Sequence, residues 1–284
     1  MFSDILLTVD FDRTLTGPDG TVPERNLEAI RYFMDNGGKF TVNTGRSTGT
    51  FWPYLHSIPH NAPFLLYNGS ATWDNGELTH CITIDMDIWE TMETVHKLFP
   101  DLNLEIQGAD KHYHIDPDPR LEALYAHQGW RFTRAAWGQE VGPFLKFSFF
   151  GSPNKPLVSE LYLEDAGDAH LFDHAEKTLR ELYGDKVDVY RAAPRIVDVH
   201  AKGVSKIAAA RRLQRELGRK LLVCVGDGEN DIPMLDGADY AFCPGDAIIK
   251  NRYENVCNCG EGAVADVIYK KIPEILKNGL DTQL

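Results

Sequence analysis

The 284-residue chain is long enough for one large domain or two ordinary ones, and its 43% hydrophobic and 25% charged residues are the balance of a globular protein. Its 29 basic and 42 acidic residues leave a formal net charge of −13, which argues against nucleic acid or an anionic membrane as the main partner, since both need a positive footprint. Five cysteines (Cys81, Cys224, Cys243, Cys257 and Cys259) make no disulfide framework, and there is neither a run of about 18 apolar residues nor a basic leader, so a reduced, cytoplasmic protein without a membrane span is expected.

The chain opens with a buried strand over Ile5–Val9, then a helix over 24–36 in which Leu27, Ile30, Phe33 and Met34 share a face, stopped by Gly37-Gly38. A strand at Lys39–Val42, a helix over 48–58 and a strand over 64–67 follow. This rhythm predicts a parallel sheet with helices on its faces. Strands over 70–73 and 78–84 then flank Asp74-Asn75-Gly76, a hairpin signal because Asn-Gly accepts the positive φ of a tight primed turn.

From about residue 85 to 195 the pattern changes. Helices are expected over 88–99, 119–127 and Ala169–Tyr183, and strands over 102–107, His112–Ile115, Phe144–Phe150, 187–191 and 196–200. Strands in tandem predict a largely antiparallel sheet of their own. Beyond His200 the first rhythm returns, with helices over 205–217, 231–236 and 263–276 and strands over 220–225 and Tyr240–Cys243. The expected architecture is therefore α/β, a Rossmann-like core formed by 1–82 and 196–284 and interrupted by an inserted α+β domain over 83–195.

Four polar clusters stand where strands of the parallel sheet should end: Asp10-Phe11-Asp12-Arg13-Thr14, Asn43-Thr44-Gly45-Arg46-Ser47, Asn68-Gly69, and Gly226-Asp227-Gly228-Glu229-Asn230-Asp231. Sites of open parallel sheets form at those ends, so the four would converge on one crevice. Alone, two acids one residue apart serve equally well as a helix cap or a solvated loop. Facing Asp227 and Asp231, however, Asp10 and Asp12 would repel strongly without a cation, and a hard divalent ion with oxygen ligands resolves that. An EF-hand is excluded, because Ile232 stands where its loop needs glycine and the distal glutamate is missing. No GxGxxG follows a strand either, which removes the dinucleotide fingerprint. Cys257 and Cys259 read as ordinary thiols, since no partner pair or histidine cluster completes a metal site.

With these motifs, DFDRTLT, NTGRS, the VSK of residues 204–206 and GDGENDIPML, the sequence resembles the haloacid dehalogenase superfamily of phosphatases in its Cof-type branch, where a large cap is inserted into the core. The resemblance implies a magnesium-dependent phosphomonoester hydrolase. Asp10 would be the nucleophile and Asp12 the general acid and base. Thr44, Gly45, Lys206 and Asn230 would bind the phosphoryl group, and Asp10, Asp12, Asp227 and Asp231 would hold Mg2+. Arg13 stands where most members carry glycine. Specificity would lie with the cap, where Lys146, Arg191, Arg195 and the edge Lys111-His112-Tyr113-His114 are candidates, and Arg46 and Asn68 of the core are further candidates for substrate contact. A metal pair of His112 and His114 is not expected, for want of a nearby acid of suitable spacing. The partner expected is a small phosphorylated metabolite such as a sugar phosphate, with no nucleic acid or membrane, and the protein a monomer or small homo-oligomer. Two alternatives are a phosphomutase using the same nucleophile and a non-catalytic sensor of a phosphorylated ligand.

Overall fold

The computed structural model describes residues 1–115, 119–151, 169–193 and 195–281. The first strands are β1 (Ile5–Val9) and β2 (Lys39–Val42), on either side of helix α1 (Glu24–Asp35). After a short α2 (Thr48–Phe51) come β3 (Phe64–Leu66), β4 (Ala71–Asp74) and β5 (Glu77–Thr79). The inserted unit contains α3 (Ile88–Leu98), β6 (Asn103–Gly108), β7 (His112–Ile115), α4 (Pro119–Gln128), β8 (Thr133–Ala135), β9 (Phe144–Phe150), α5 (Ala169–Tyr183), β10 (Val187–Ala193) and β11 (Ile196–Ala201). The chain ends with α6 (Lys206–Glu216), β12 (Leu221–Val225), α7 (Ile232–Asp236), β13 (Tyr240–Cys243), β14 (Glu254–Asn255), α8 (Ala263–Asp266) and α9 (Ile272–Asp281). Among the described residues, no helix is long and apolar enough to cross a membrane.

Strands β14, β13, β12, β1 and β2 form a parallel sheet in that order. Alternation along β1 explains why its run is apolar except for the buried Thr8. Ile5, Leu7 and Val9 pack with Ile30 and Phe33 of α1 and with Val264 of α8, while Leu6 packs on the other face with Ala210 and Leu213 of α6 and Met234 of α7. A strand covered on both faces has little room for charged or strongly polar side chains until it ends. A parallel bridge between Asn43 and Leu65 attaches β3, which turns into the antiparallel hairpin β4–β5. At its tip Asn75 and Gly76 take φ of 50° and 92°, as the turn requires.

The second sheet runs β10-β11-β9-β6-β7-β8 and is antiparallel except for the β7–β8 pair. One face is apolar: Ile106, Phe147, Phe149, Val189, Val197 and Val199 pack with Met92 and Val95 of α3 and Phe172 and Leu179 of α5. The opposite face is polar yet buried, carrying Glu105, Gln107, His112, His114, Lys146, Ser148, Asp198 and His200. It lies against the loops at the carboxyl ends of the parallel strands.

Four expectations change in detail, the first being the strand expected over 78–84, which ends at Thr79. The helix expected over 48–58 is α2 followed by one 3-10 turn at Trp52–Tyr54, because Pro53 has no N–H to continue an α-helical ladder. The strand Ile196–Ala201, read with the tandem strands of the insertion but left on the core side of the 195/196 boundary, pairs with β9 and β10, so the return to the parallel sheet comes after Ala201. The last helix passes through a wider turn at Val267–Lys271 and continues to Asp281. All five cysteines are free thiols.

Candidate active site

Asp10 is the first residue past β1, and its N–H donates to Val225 O at 2.9 Å, which ties the end of β1 to that of β12. The chain then makes one turn over Phe11–Leu15, with Leu15 N–H returning to Asp10 O at 3.2 Å. Phe11 faces the core, so the turn presents Asp10 and Asp12 toward the sheet edge. Lys206, the first residue of α6, donates from Nζ to Asp10 Oδ1 at 2.5 Å and to Asp231 Oδ1 at 2.6 Å. The other oxygen of Asp231 accepts from the N–H groups of Asp227 and Gly228 at 3.0 and 3.1 Å. Asp231 therefore shapes the turn that carries Asp227. Thr14 Oγ1 donates to Asp227 Oδ1 at 3.1 Å.

Carboxylate oxygens of Asp10, Asp227 and Asp231 all lie within 4.8 Å of one another, and all three residues are buried. Against these three negative charges the structure sets the buried ammonium of Lys206 and, 4.0 Å from Asp227, the half-exposed Arg13. The imbalance shows in the acidities. Burial, then the neighbouring Asp231, pushes Asp10 from 3.8 up to about 7, although Lys206 opposes the shift. Burial and the charge of Asp10 raise Asp227 well above the carboxylate range. Lys206 is costly to bury as a cation, yet Asp10 and Asp231 hold it firmly charged. Clustered, buried oxygen donors with an excess of negative charge fit a hard divalent cation.

Asp12 lies apart from this cluster and is a third exposed. Arg46 grips it with two parallel bonds, Nε to Oδ2 at 2.9 Å and Nη2 to Oδ1 at 2.8 Å, and donates from Nη1 to Thr50 O at 3.0 Å. The guanidinium is stacked among Phe11, Tyr54 and Trp130, at 5.1, 5.5 and 5.0 Å from their ring centres. Such a planar, aromatic-lined fork suits Arg and would not be reproduced by Lys.

The remaining candidates divide into two groups. Thr44 is buried just past β2, its Oγ1 accepting from Arg46 N–H at 3.2 Å. Asn68, Ser205, Lys206 and Asn230 line one small cavity with Tyr190 and Pro233. Lys146 on β9 donates to Gly45 O at 2.8 Å and Asp198 Oδ2 at 3.1 Å, and Asn68 Nδ2 donates to Asp198 Oδ2 at 3.1 Å. Arg191 points elsewhere, with Nη1 3.3 Å from Asp173 Oδ1 and 3.9 Å from Glu176 Oε2 on α5. Two positioning residues escaped the sequence reading. Asn43 donates to Lys206 O at 2.8 Å, holding the start of α6, and Asp198 gathers Lys146, Ser148 and Asn68. Asn43 begins the NTGRS motif, a signal that was available; Asp198 sits in a strand whose alternation says nothing of what it faces.

A model of the haloacid dehalogenase-like hydrolases matches residues 7–268. The chain is 24% identical over 277 residues to 5-amino-6-(5-phospho-D-ribitylamino)uracil phosphatase YcsE of Bacillus subtilis, covering 93% of this chain and 94% of that protein. It is also 24% identical over 260 residues to an HMP-PP phosphatase of Escherichia coli, covering 88% and 87%. A solved haloacid dehalogenase-like hydrolase from Bacteroides thetaiotaomicron superposes with a TM-score of 0.75 at 19% identity, covering 94% of this chain and 98% of that one. The match across nearly the whole chain joins the parallel sheet, the insertion and the strand-end acids under one heading: this chain is an enzyme of the haloacid dehalogenase-like hydrolase family.

Proposed function

We propose that the enzyme is a magnesium-dependent phosphomonoester hydrolase that works through an aspartyl-phosphate on Asp10. The observation that carries this reading is the Asp10–Lys206–Asp231 bridge beside Asp227, a strand-end carboxylate held by a cation within a cluster suited to a second one. Asp10 Oδ2 attacks phosphorus while the bond to the leaving oxygen breaks and Asp12 delivers a proton to that oxygen. Water then gives a proton to Asp12, its oxygen bonds to phosphorus, and the Asp10–phosphorus bond breaks to release phosphate. Asp10, Asp227 and the Asp12 carbonyl would hold Mg2+, with Asp231 behind Asp227, and the ion would supply the positive charge that lets an anion approach a phosphate dianion. Thr44, Gly45 and Asn230 hold the phosphoryl oxygens with Lys206. Arg46 fixes the orientation of Asp12, and Asn68 and Lys146 present polar groups from the two sides of the seam toward the leaving group. The substrate is a small phosphorylated metabolite such as a sugar phosphate, in keeping with the phosphatase names of the two relatives.

A panel of sugar phosphates, nucleotides, phosphoglycolate and pyridoxal phosphate, assayed for free phosphate, tests the proposal. Turnover of at least one compound should require Mg2+ and disappear with a chelator. Asp10→Asn should lower kcat by at least about 10³-fold, as loss of a nucleophile does. Asp10→Asn at the parental rate would overturn the assignment, and isomerised sugar phosphate without net phosphate release would favour the mutase.

A further inference from the structure

The polar face of the second sheet holds a cluster that the phosphoryl chemistry does not use. Glu105 on β6 is paired with His114 on β7, and Gln107 with His112, so all four side chains share the buried face. His112 Nε2 lies 2.9 Å from Glu105 Oε2 and His114 Nε2 lies 3.8 Å from the same oxygen. Tyr125 Oη, from α4, is 3.2 Å from Glu105 Oε2 and 3.3 Å from His112 Nε2. The four atoms come from three elements, and the other three all lie within 3.8 Å of Glu105 Oε2. An ion with tetrahedral bonds of 2.0–2.1 Å separates its ligands by about 3.3 Å, and these spacings straddle that value.

The surrounding groups are those that a ligand set needs. Gln107 Nε2 donates to Glu105 Oε1, which leaves Oε2 turned to the histidines. His112 Nδ1 is 2.7 Å from Ser47 Oγ, the cap of α2, so its ring is fixed from behind. Partners of this kind orient the ligands of metal centres. A plain ion pair between His112 and Glu105 would account for two of the groups and leave the third unexplained. His114 is 1% exposed and neither of its ring nitrogens has a hydrogen-bond partner. A buried imidazole with no partner is costly, and a metal ion satisfies its Nε2.

We propose that Glu105, His112 and His114 bind a transition-metal dication of the Zn2+ class, with Tyr125 Oη at the fourth corner. Two imidazoles select such an ion over Mg2+, which prefers oxygen ligands alone. Because His112 also bonds Ser47, the ion would stiffen the contact of the inserted sheet with the loop that carries Arg46.

The test uses the purified full chain, stripped with a chelator and titrated with Co2+ in excess Mg2+. One equivalent of Co2+ should give the intense visible bands of a four-coordinate site and be displaced by Zn2+. His114→Gln and Glu105→Gln should lose those bands, whereas Asp227→Asn, in the other acidic cluster, should keep them. Absence of the bands from the wild-type chain overturns the proposal whatever the variants do. So does their persistence in a folded His114→Gln protein, or their loss in Asp227→Asn alone.

Discussion

Arg13 takes φ 57° and ψ 11°, in the left-handed region that side chains with a Cβ avoid. The turn imposes this. Arg13 N–H must reach Thr16 Oγ1 at 3.1 Å while Leu15 and Thr16 return to Asp10 and Phe11, and only a left-handed residue closes that path. The conformation explains why a glycine suits this place in the family resemblance. Arg13 has one compensating contact, Nε 4.0 Å from Asp227 Oδ2, and with its side chain 38% exposed that contact is worth little. Arg13→Gly should therefore leave phosphatase activity within a few-fold and raise stability by up to about 1 kcal/mol, the relieved strain exceeding the extra freedom of the unfolded chain. Chemical denaturation checks this; a loss of more than about 1 kcal/mol would show that the charge beside Asp227 outweighs the strain. Asp12 teaches the complementary lesson at the same scale. Its acidic character and position were legible in DFDRT, but its clamp was not, because the guanidinium comes from 34 residues away and is aimed by three aromatic rings.

Among the elements, those with strong periodicity were legible and those set by distant neighbours were not. Strand β12 is a continuous apolar run and β1 one broken only by Thr8, because helices cover both faces, and α1 has one clean apolar stripe. Strands β8 and β14 have three and two residues, too few to show alternation. The boundary beside β11 was drawn one strand early for another reason: the strand is buried almost throughout, and its residue pattern would suit either sheet. The polar face of the second sheet was hidden likewise, since Lys146 between apolar neighbours looks alike facing water or facing the core loops. Its docking depends on α2, which is short and meets the loop after α4 closely. Arg131 N–H donates to Gly49 O at 3.0 Å, and Arg131 lies over Trp52 at 3.4 Å. A Cβ on Gly49 would stand 2.3 Å from Arg131 O and 3.0 Å from the Cβ of His112. Gly49→Ala should thus push the inserted sheet from the core while leaving the parallel sheet intact. The expected result is a fall of about tenfold or more in kcat/KM with native far-UV circular dichroism, since small misplacements are costly to positioning. Unchanged kcat/KM would mean that this contact does not set the approach of the two units.

Across the whole molecule, the seam between the inserted sheet and the parallel sheet is polar rather than oily, and its bonds depend on protonation. His200 is fully buried there, with Nε2 3.0 Å from Asn68 Nδ2 and Nδ1 3.2 Å from Ser70 Oγ. Asn68 Nδ2 also donates to Asp198, and Ser70 Oγ donates to Leu145 O, so the consistent tautomer has Nε2 accepting and Nδ1–H donating. A second ring proton would confront the amide of Asn68. Burial accordingly pushes His200 from 6.5 down to about 3, against the favourable charges of Asp198 and Asp188 and with the help of Lys146. The unfolded chain takes up a proton below about 6.5 and the folded chain does not, so the stability this histidine secures is complete above pH 6.5 and drains away as pH falls toward 3. The loss from one such group approaches about 1.4 kcal/mol per pH unit in that window. His200→Gln cannot take up that proton. Urea denaturation midpoints measured from pH 7 to 4.5 should therefore fall more steeply for the wild-type chain than for His200→Gln, even though the variant starts less stable. Parallel slopes would show that His200 is protonated in the folded seam, with Asn68 turned to offer it the amide oxygen.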